Sequence, residues 1–196
     1  MLRDKEIRTA LVEHLMKRST RPARIIEELT IDNGNAIADV VACYRDMHCY
    51  EIKGQTDNVR RLLVQSEFFS QSFPKLTLVT TENHIRWAAA HTPEHWGLML
   101  AKEKNNRIVL SYIRKTGMNS NFSKQKALLM LWKAELIAIA DAYPQIALKK
   151  SFTRDEIAAA ISFGITKDDA LESIQSAIVR RALNTIHNES DVSDGK

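Results

Sequence analysis

Residues 36–53, AIADVVACYRDMHCYEIK, decide the fold. The run AIADVVACY (36–44) is nearly all apolar and rich in strand formers, interrupted by a single carboxylate, Asp39. Arg45 and Asp46 break the run, and HCYEIK (48–53) then reads as a second strand paired with the first as a hairpin, ended by Gly54. Side chains alternate along a strand, so Glu51 and Lys53 share one face while Ile52 points into the opposite layer. A turn centred on Arg45 sets Asp39 across from Glu51, and one centred on Asp46 sets it across from Lys53. Either way three ionisable groups meet on one face, with Val40 and Ile52 on the other.

Upstream, Ile7, Ala10, Leu11, His14 and Leu15 form one apolar stripe of a helix over residues 4–17. Pro22 suits the first turn of a short second helix reaching Leu29, with Glu27 and Glu28 at its end. Downstream, a helix starting near Thr56 or Asp57 carries Val59, Leu62, Leu63, Phe69 and Phe73 and is closed by Pro74. KLTLVTT (75–81) reads as a buried strand, residues 82–90 as a helix, and 96–101 and 107–113 as further strands. Beyond Thr116 the pattern is helical. One helix holds Leu128, Leu131, Trp132, Glu135 and Leu136, and capping boxes at Thr153/Glu156 and Thr166/Asp169 open two more. The expected organisation is an α/β core over 1–116, a helical C-terminal extension over 117–187, and a disordered polar tail over 188–196.

With 196 residues, 44% of them hydrophobic, the chain can bury one real core and carry a small extension. No stretch approaches the roughly 20 apolar residues of a membrane helix, and the charged start MLRDKEIRTALVEHLMKR lacks the pattern of a secretory signal, so a cytoplasmic location is expected. Cys43 and Cys49 are too few for a disulfide framework or a structural zinc site and read as strand residues. A net charge of +4 permits a polyanionic partner. Arg60, Arg61, Lys102, Lys104, Arg107, Arg114 and Lys115 could touch phosphate or simply form solvated faces. Trp87, Trp96 and Trp132 read as core residues. The six histidines show no metal-binding spacing, and no glycine-rich phosphate loop is present.

A hard divalent cation takes oxygen ligands, commonly one or two carboxylates with phosphate and water, and Asp39 and Glu51 supply such oxygens. Lys53 beside them could orient or deprotonate a water, or neutralise charge developing on phosphorus oxygens. Burying an unpaired charge in an apolar strand is costly, so a carboxylate inside AIADVV is expected to be paired or metal-bound.

Asp39, eleven intervening residues and then Glu51-Ile52-Lys53 at a strand end resemble the motif of the PD-(D/E)XK nuclease superfamily. Glu28 in ELTID matches the upstream acid of that pattern, ahead of its neighbour Glu27. With Gln65 and KLTLVTTENH, the run resembles a small bacterial and phage family within the superfamily, called sce, over roughly residues 1–140. The resemblance implies a restriction-endonuclease-like core, a mixed central sheet flanked by helices, and Mg²⁺- or Mn²⁺-dependent hydrolysis of phosphodiester bonds in nucleic acid, DNA ahead of RNA, in processing or defence. It implies catalytic roles for Glu28, Asp39, Glu51, Lys53 and Gln65, and metal ligation by Glu28, Asp39, Glu51 and the backbone carbonyl of Ile52. Two positions depart from the pattern: Ala38 replaces the leading proline, and Phe69 stands where some branches place a tyrosine after Gln65. The alternative is a non-catalytic module on a nuclease-like fold, binding nucleic acid or protein, with the C-terminal helices forming a helix-turn-helix-like unit or a plain cap. A homodimer or a partner protein is compatible with either.

Overall fold

A computed structural model describes residues 1–193, which divide into two units, residues 1–123 and the residues from Lys124 onward. The first unit is an α/β layer structure around one six-stranded sheet, in the order β1-β2-β3-β4-β5-β6. Its elements are α1 (Asp4–Met16), β1 (Arg24–Ile31), β2 (Ala36–Cys43), β3 (Met47–Lys53), α2 (Arg61–Ser72), β4 (Lys75–Thr80), α3 (Glu82–His91), β5 (Gly97–Lys104) and β6 (Arg107–Arg114). β1, β2 and β3 form an antiparallel meander. β3, β4 and β5 run parallel, joined through α2 and α3, and β6 returns antiparallel. The sheet is therefore mixed and flanked by helices.

Alternation sorts the two faces. Ile7, Leu11 and Leu15 of α1 pack against Val40, Ala42, Tyr50, Ile52, Val79, Met99 and Ala101, all buried. Asp39, Glu51 and Lys53 stand at the intervening positions and face the α2 side. The hairpin register continues from Val40 opposite Tyr50, the alignment of a turn centred on Arg45, so Asp39 falls opposite Glu51. On the α2 side Phe69 is fully buried and meets Trp96 edge-on at 6.3 Å. Asn119 donates to the carbonyls of Ser70 and Phe73, satisfying acceptors that the end of α2 leaves open.

The expected helix ending at Leu29 is instead β1. Residues 24–31, RIIEELTI, pair along β2, and that ladder supplies hydrogen bonds that an isolated short helix after Pro22 would have lacked. The turn Asp32-Asn33-Gly34 that follows has positive φ at all three residues (43°, 59° and 95°), the conformation that Asn, Asp and Gly tolerate best. Asn-Gly between two strand-forming runs is a hairpin signal that points back to β1. α2 begins four residues later than Asp57, after a turn in which Gly54 N–H donates to Asp57.

The second unit holds α4 (Lys124–Leu128), α5 (Lys133–Asp141), α6 (Arg154–Gly164) and α7 (Lys167–Ser193). The single helix expected around Leu128–Leu136 is two, because four successive residues, Leu128 to Leu131, are all buried and no helical face can do that. Trp132 consequently sits outside the core at 60% exposure, stacked under the Arg181 guanidinium at 4.2 Å, and Arg181 also pairs with Glu135. Thr153 and Glu156 form their capping box, and Thr166 caps α7 by accepting the Asp169 N–H while its hydroxyl donates to the Asp169 carboxylate. α7 continues to Ser193, through much of the stretch expected as a disordered tail, whose residues 194–196 lie outside those described.

Candidate functional site

The strand pairing that builds the sheet also opens the site. The β2–β3 ladder ends at Val40 and Tyr50, and beyond it the Asp39 carboxylate, not a backbone carbonyl, accepts the Ile52 N–H at 2.7 Å. The N–H and C=O of one strand residue point to the same side. The Ile52 carbonyl therefore shares that edge. A pocket of about 470 Å³ lies here, lined by Ile37, Asp39, Glu51, Ile52 and Lys53 from the strands, by Asn35 from the β1–β2 connection, by Asn58 ahead of α2, and by Arg61 and Gln65 at its start.

Within it Lys53 Nζ lies 2.6 Å from Glu51 Oε1, with Glu51 3% and Lys53 16% exposed at the side chain. The second oxygen, Glu51 Oε2, is buried with no hydrogen-bond partner. Burial, and then the charge of Asp39, push the Glu51 carboxyl up to about 8 against the opposing pull of Lys53. Asp39 is also raised, by burial first, with the Ile52 N–H and Lys53 opposing. For Lys53, burial acts downward but is outweighed by Glu51 and Asp39, leaving its pKa raised. An ammonium thus stays charged beside two carboxyls that resist ionisation, a combination typical of functional sites.

The chain places Asp39, Glu51, Lys53, Gln65 and Ile52 together. Glu28 does not line the pocket with them: it lies in β1 with φ 55°, its side chain is 68% exposed, and it connects to Asp39 through Arg8. The helical acid that does line the pocket is Asp4, in the first turn of α1. Gly54 makes that approach feasible, since a Cβ there would lie 3.0–3.2 Å from the backbone of Asp4, Leu2 and Arg3. Arg8, one turn on, reaches Asp4 at 3.0 Å, Glu28 at 2.8 Å and Asp39 at 3.5 Å. Asp4 and Arg8 continue the stripe of Leu11 and Leu15 at helical spacing, and charges on an otherwise apolar stripe were the signal available for them.

Among the described residues no group of three or more His, Cys, Asp or Glu side chains is gathered to hold a metal ion. The groups in the pocket that could hold an ion are two carboxylates, Asp39 and Glu51, with the Ile52 carbonyl. That suits an ion which keeps several waters and takes phosphate oxygens, as Mg²⁺ does. The orphaned Glu51 Oε2 is the observation that fits a cation, since a buried unsatisfied oxygen calls for a partner.

Fold and pocket together define a mixed-sheet α/β protein with a carboxylate–lysine site at a strand end. The chain belongs to the bacteriophage P4 protein cII family, whose model matches residues 1–189. Protein cII of Enterobacteria phage P4 is 26% identical over 200 residues, covering 98% of this chain and 75% of its own length. A Silicibacter pomeroyi protein of unknown function superposes with a TM-score of 0.48 at 11% identity, over 76% of this chain and 97% of its own, a likeness too slight to bear on fold or function. No helix among the described residues is long and apolar enough to cross a membrane.

Proposed function

We propose that the chain is a Mg²⁺- or Mn²⁺-dependent nuclease that hydrolyses phosphodiester bonds, with DNA as its substrate. The observation that carries this reading is the convergence of Asp39, Glu51 and Lys53 in one pocket, with Glu51 Oε2 buried and unpartnered. Asp39, Glu51 and the Ile52 carbonyl would hold the ion, which when bound supplies Lewis acidity toward a phosphate oxygen and a lowered pKa for water. The chain's own residues do the rest. Lys53, held by Glu51, keeps a positive charge beside the position of the scissile phosphate and stabilises negative charge that builds there. Gln65, on the pocket wall, orients a water or phosphate oxygen through its amide. Arg61 and Asn58 at the rim present donors to the flanking backbone.

A second reading, a non-catalytic module that binds nucleic acid or protein, has two supports. Family membership points to a phage protein cII, a name that carries no catalytic activity. In addition, Lys53 and Arg8 already neutralise Glu51 and Asp39 from within the chain. The comparisons lean toward this second reading and the pocket toward the first. Incubation with single-stranded, duplex and branched DNA in Mg²⁺, Mn²⁺ or EDTA separates them. Metal-dependent scission that EDTA stops supports the nuclease. DNA retention without scission under every metal supports the module.

A further inference from the structure

We propose that Arg8 is a built-in counter-ion that sets the affinity of the Asp39 site for a divalent cation, and that Glu28 holds this guanidinium back from Asp39. The inference rests on the metal-site reading given above. Arg8 is 16% exposed and projects from α1 among four carboxylates. One terminal nitrogen meets Glu28 at 2.8 Å and Glu27 at 3.9 Å, and the other meets Asp4 at 3.0 Å and Asp39 at 3.5 Å. The short contacts go to Glu28 and Asp4, and the carboxylate proposed as a ligand is held at a longer one. Asp39 Oδ2 is meanwhile fixed by the Ile52 N–H, so Arg8 is not needed to orient it.

Glu28 occupies its place at a cost. Its neighbours Glu27 and Leu29 pair with Val40 and Ala38 in unbroken register, so Glu28 stands opposite Asp39 at a gap in the ladder, with φ 55°. A non-glycine residue in that region costs on the order of 1–3 kcal/mol, and such strain collects at functional positions. At that position the Glu28 carboxylate meets the guanidinium. An asparagine or glycine would relieve the backbone, but neither would hold Arg8.

A cation bound by Asp39 is repelled by the guanidinium near it, so removing Arg8 tightens binding. Removing the Glu28 charge frees Arg8 to close on Asp39 and weakens binding. The opposite signs distinguish this role from a structural one, in which both changes would weaken the site.

The test is calorimetric titration of Mn²⁺ and Mg²⁺ alone into wild type, Arg8→Gln, Arg8→Lys and Glu28→Gln, with circular dichroism to verify folding. Outer-sphere changes commonly move metal affinity by 10–100-fold, so the expected shift is about tenfold tighter for Arg8→Gln and about tenfold weaker for Glu28→Gln. Arg8→Lys keeps the charge and returns toward the wild-type affinity. Affinity in Arg8→Gln that is equal to or weaker than wild type overturns the counter-ion role. Glu28 is exposed, so Glu28→Gln keeps the proposal falsifiable if Arg8→Gln does not fold, and an unchanged affinity there overturns the part given to Glu28. Folded wild type with no response to either metal overturns the metal-site reading itself, and this inference with it.

Discussion

Asp39 Oδ2 accepts the backbone N–H of Ile52 at 2.7 Å, so a side chain of β2 does what its backbone would otherwise do for β3. The carboxylate is at once a structural acceptor and the group that lines the pocket. These two roles respond differently to substitution. Asp39→Ala leaves a part-buried N–H unmatched, and the expected loss of stability is about 1–3 kcal/mol. Asp39→Asn keeps a carbonyl oxygen for Ile52 and stays close to wild type in urea denaturation, yet loses the charge, so its melting temperature no longer rises with Mn²⁺. An equal metal response in Asp39→Asn and wild type would remove Asp39 from the ligand set.

His48 gives the fold a measurable pH dependence. Burial first, then Lys75 and Arg18, lower its pKa to about 3, while its ring stacks on Tyr50 at 4.2 Å and bonds Thr77 at 2.8 Å. The unfolded chain binds a proton near the usual value of 6.5 that the folded chain refuses. His48 therefore contributes stability that is present above 6.5 and lost as pH falls toward 3, at up to about 1.4 kcal/mol per pH unit. Glu51 acts in the opposite sense: its raised pKa gives stability present below its usual 4.5 and lost as pH rises through about 8. The two overlap, so the readout is the difference between wild type and His48→Gln in urea melts from pH 4 to 7. That difference should shift toward the wild type as pH rises. A pH-independent difference would mean that folding leaves the His48 pKa unchanged.

Gly54 is expected to tolerate no side chain. The three backbone atoms facing its missing Cβ belong to residues 2–4, so Gly54→Ala must push the start of α1 and Asp4 away from the pocket. Overpacking of this kind costs about 1–3 kcal/mol. Thermal melting should show that loss. A variant as stable as wild type would show that α1 can shift freely, and Asp4 would then have no fixed place in the site.

The hairpin and its three polar residues were legible because strand alternation is a two-residue rule, and the bounds of β2 and β3 agree within one residue with the expected strands. β4, β5 and β6 were legible from their short runs of strand formers, and α3 as the helix between β4 and β5. β1 differs from its sequence expectation because Ile25, Ile26 and Leu29 also fit a helical face. The competing signal, Asn33-Gly34 between strand formers, lies beyond the end of that stretch. That same helical fit puts Glu28 on a helix, whereas the acid that reaches the pocket, Asp4, is 35 positions before Asp39. Tertiary packing through Gly54 and the pairing of Arg8 with both join them. Trp132 was assigned to the core on hydrophobicity alone, and its cover is Arg181, far along the chain.

The most direct measurement compares Lys53→Ala with wild type in a single-turnover DNA cleavage assay in Mg²⁺ or Mn²⁺, with DNA affinity measured in parallel. Affinity for a polyanion is spread over many basic contacts, so the loss of one changes it modestly. A positioned group acting on developing charge is worth about 10² to 10⁴ in rate. The account predicts metal-dependent cleavage by wild type, a loss of that size in Lys53→Ala, and DNA binding largely kept. Cleavage by Lys53→Ala at the wild-type rate with the same metal dependence would contradict it.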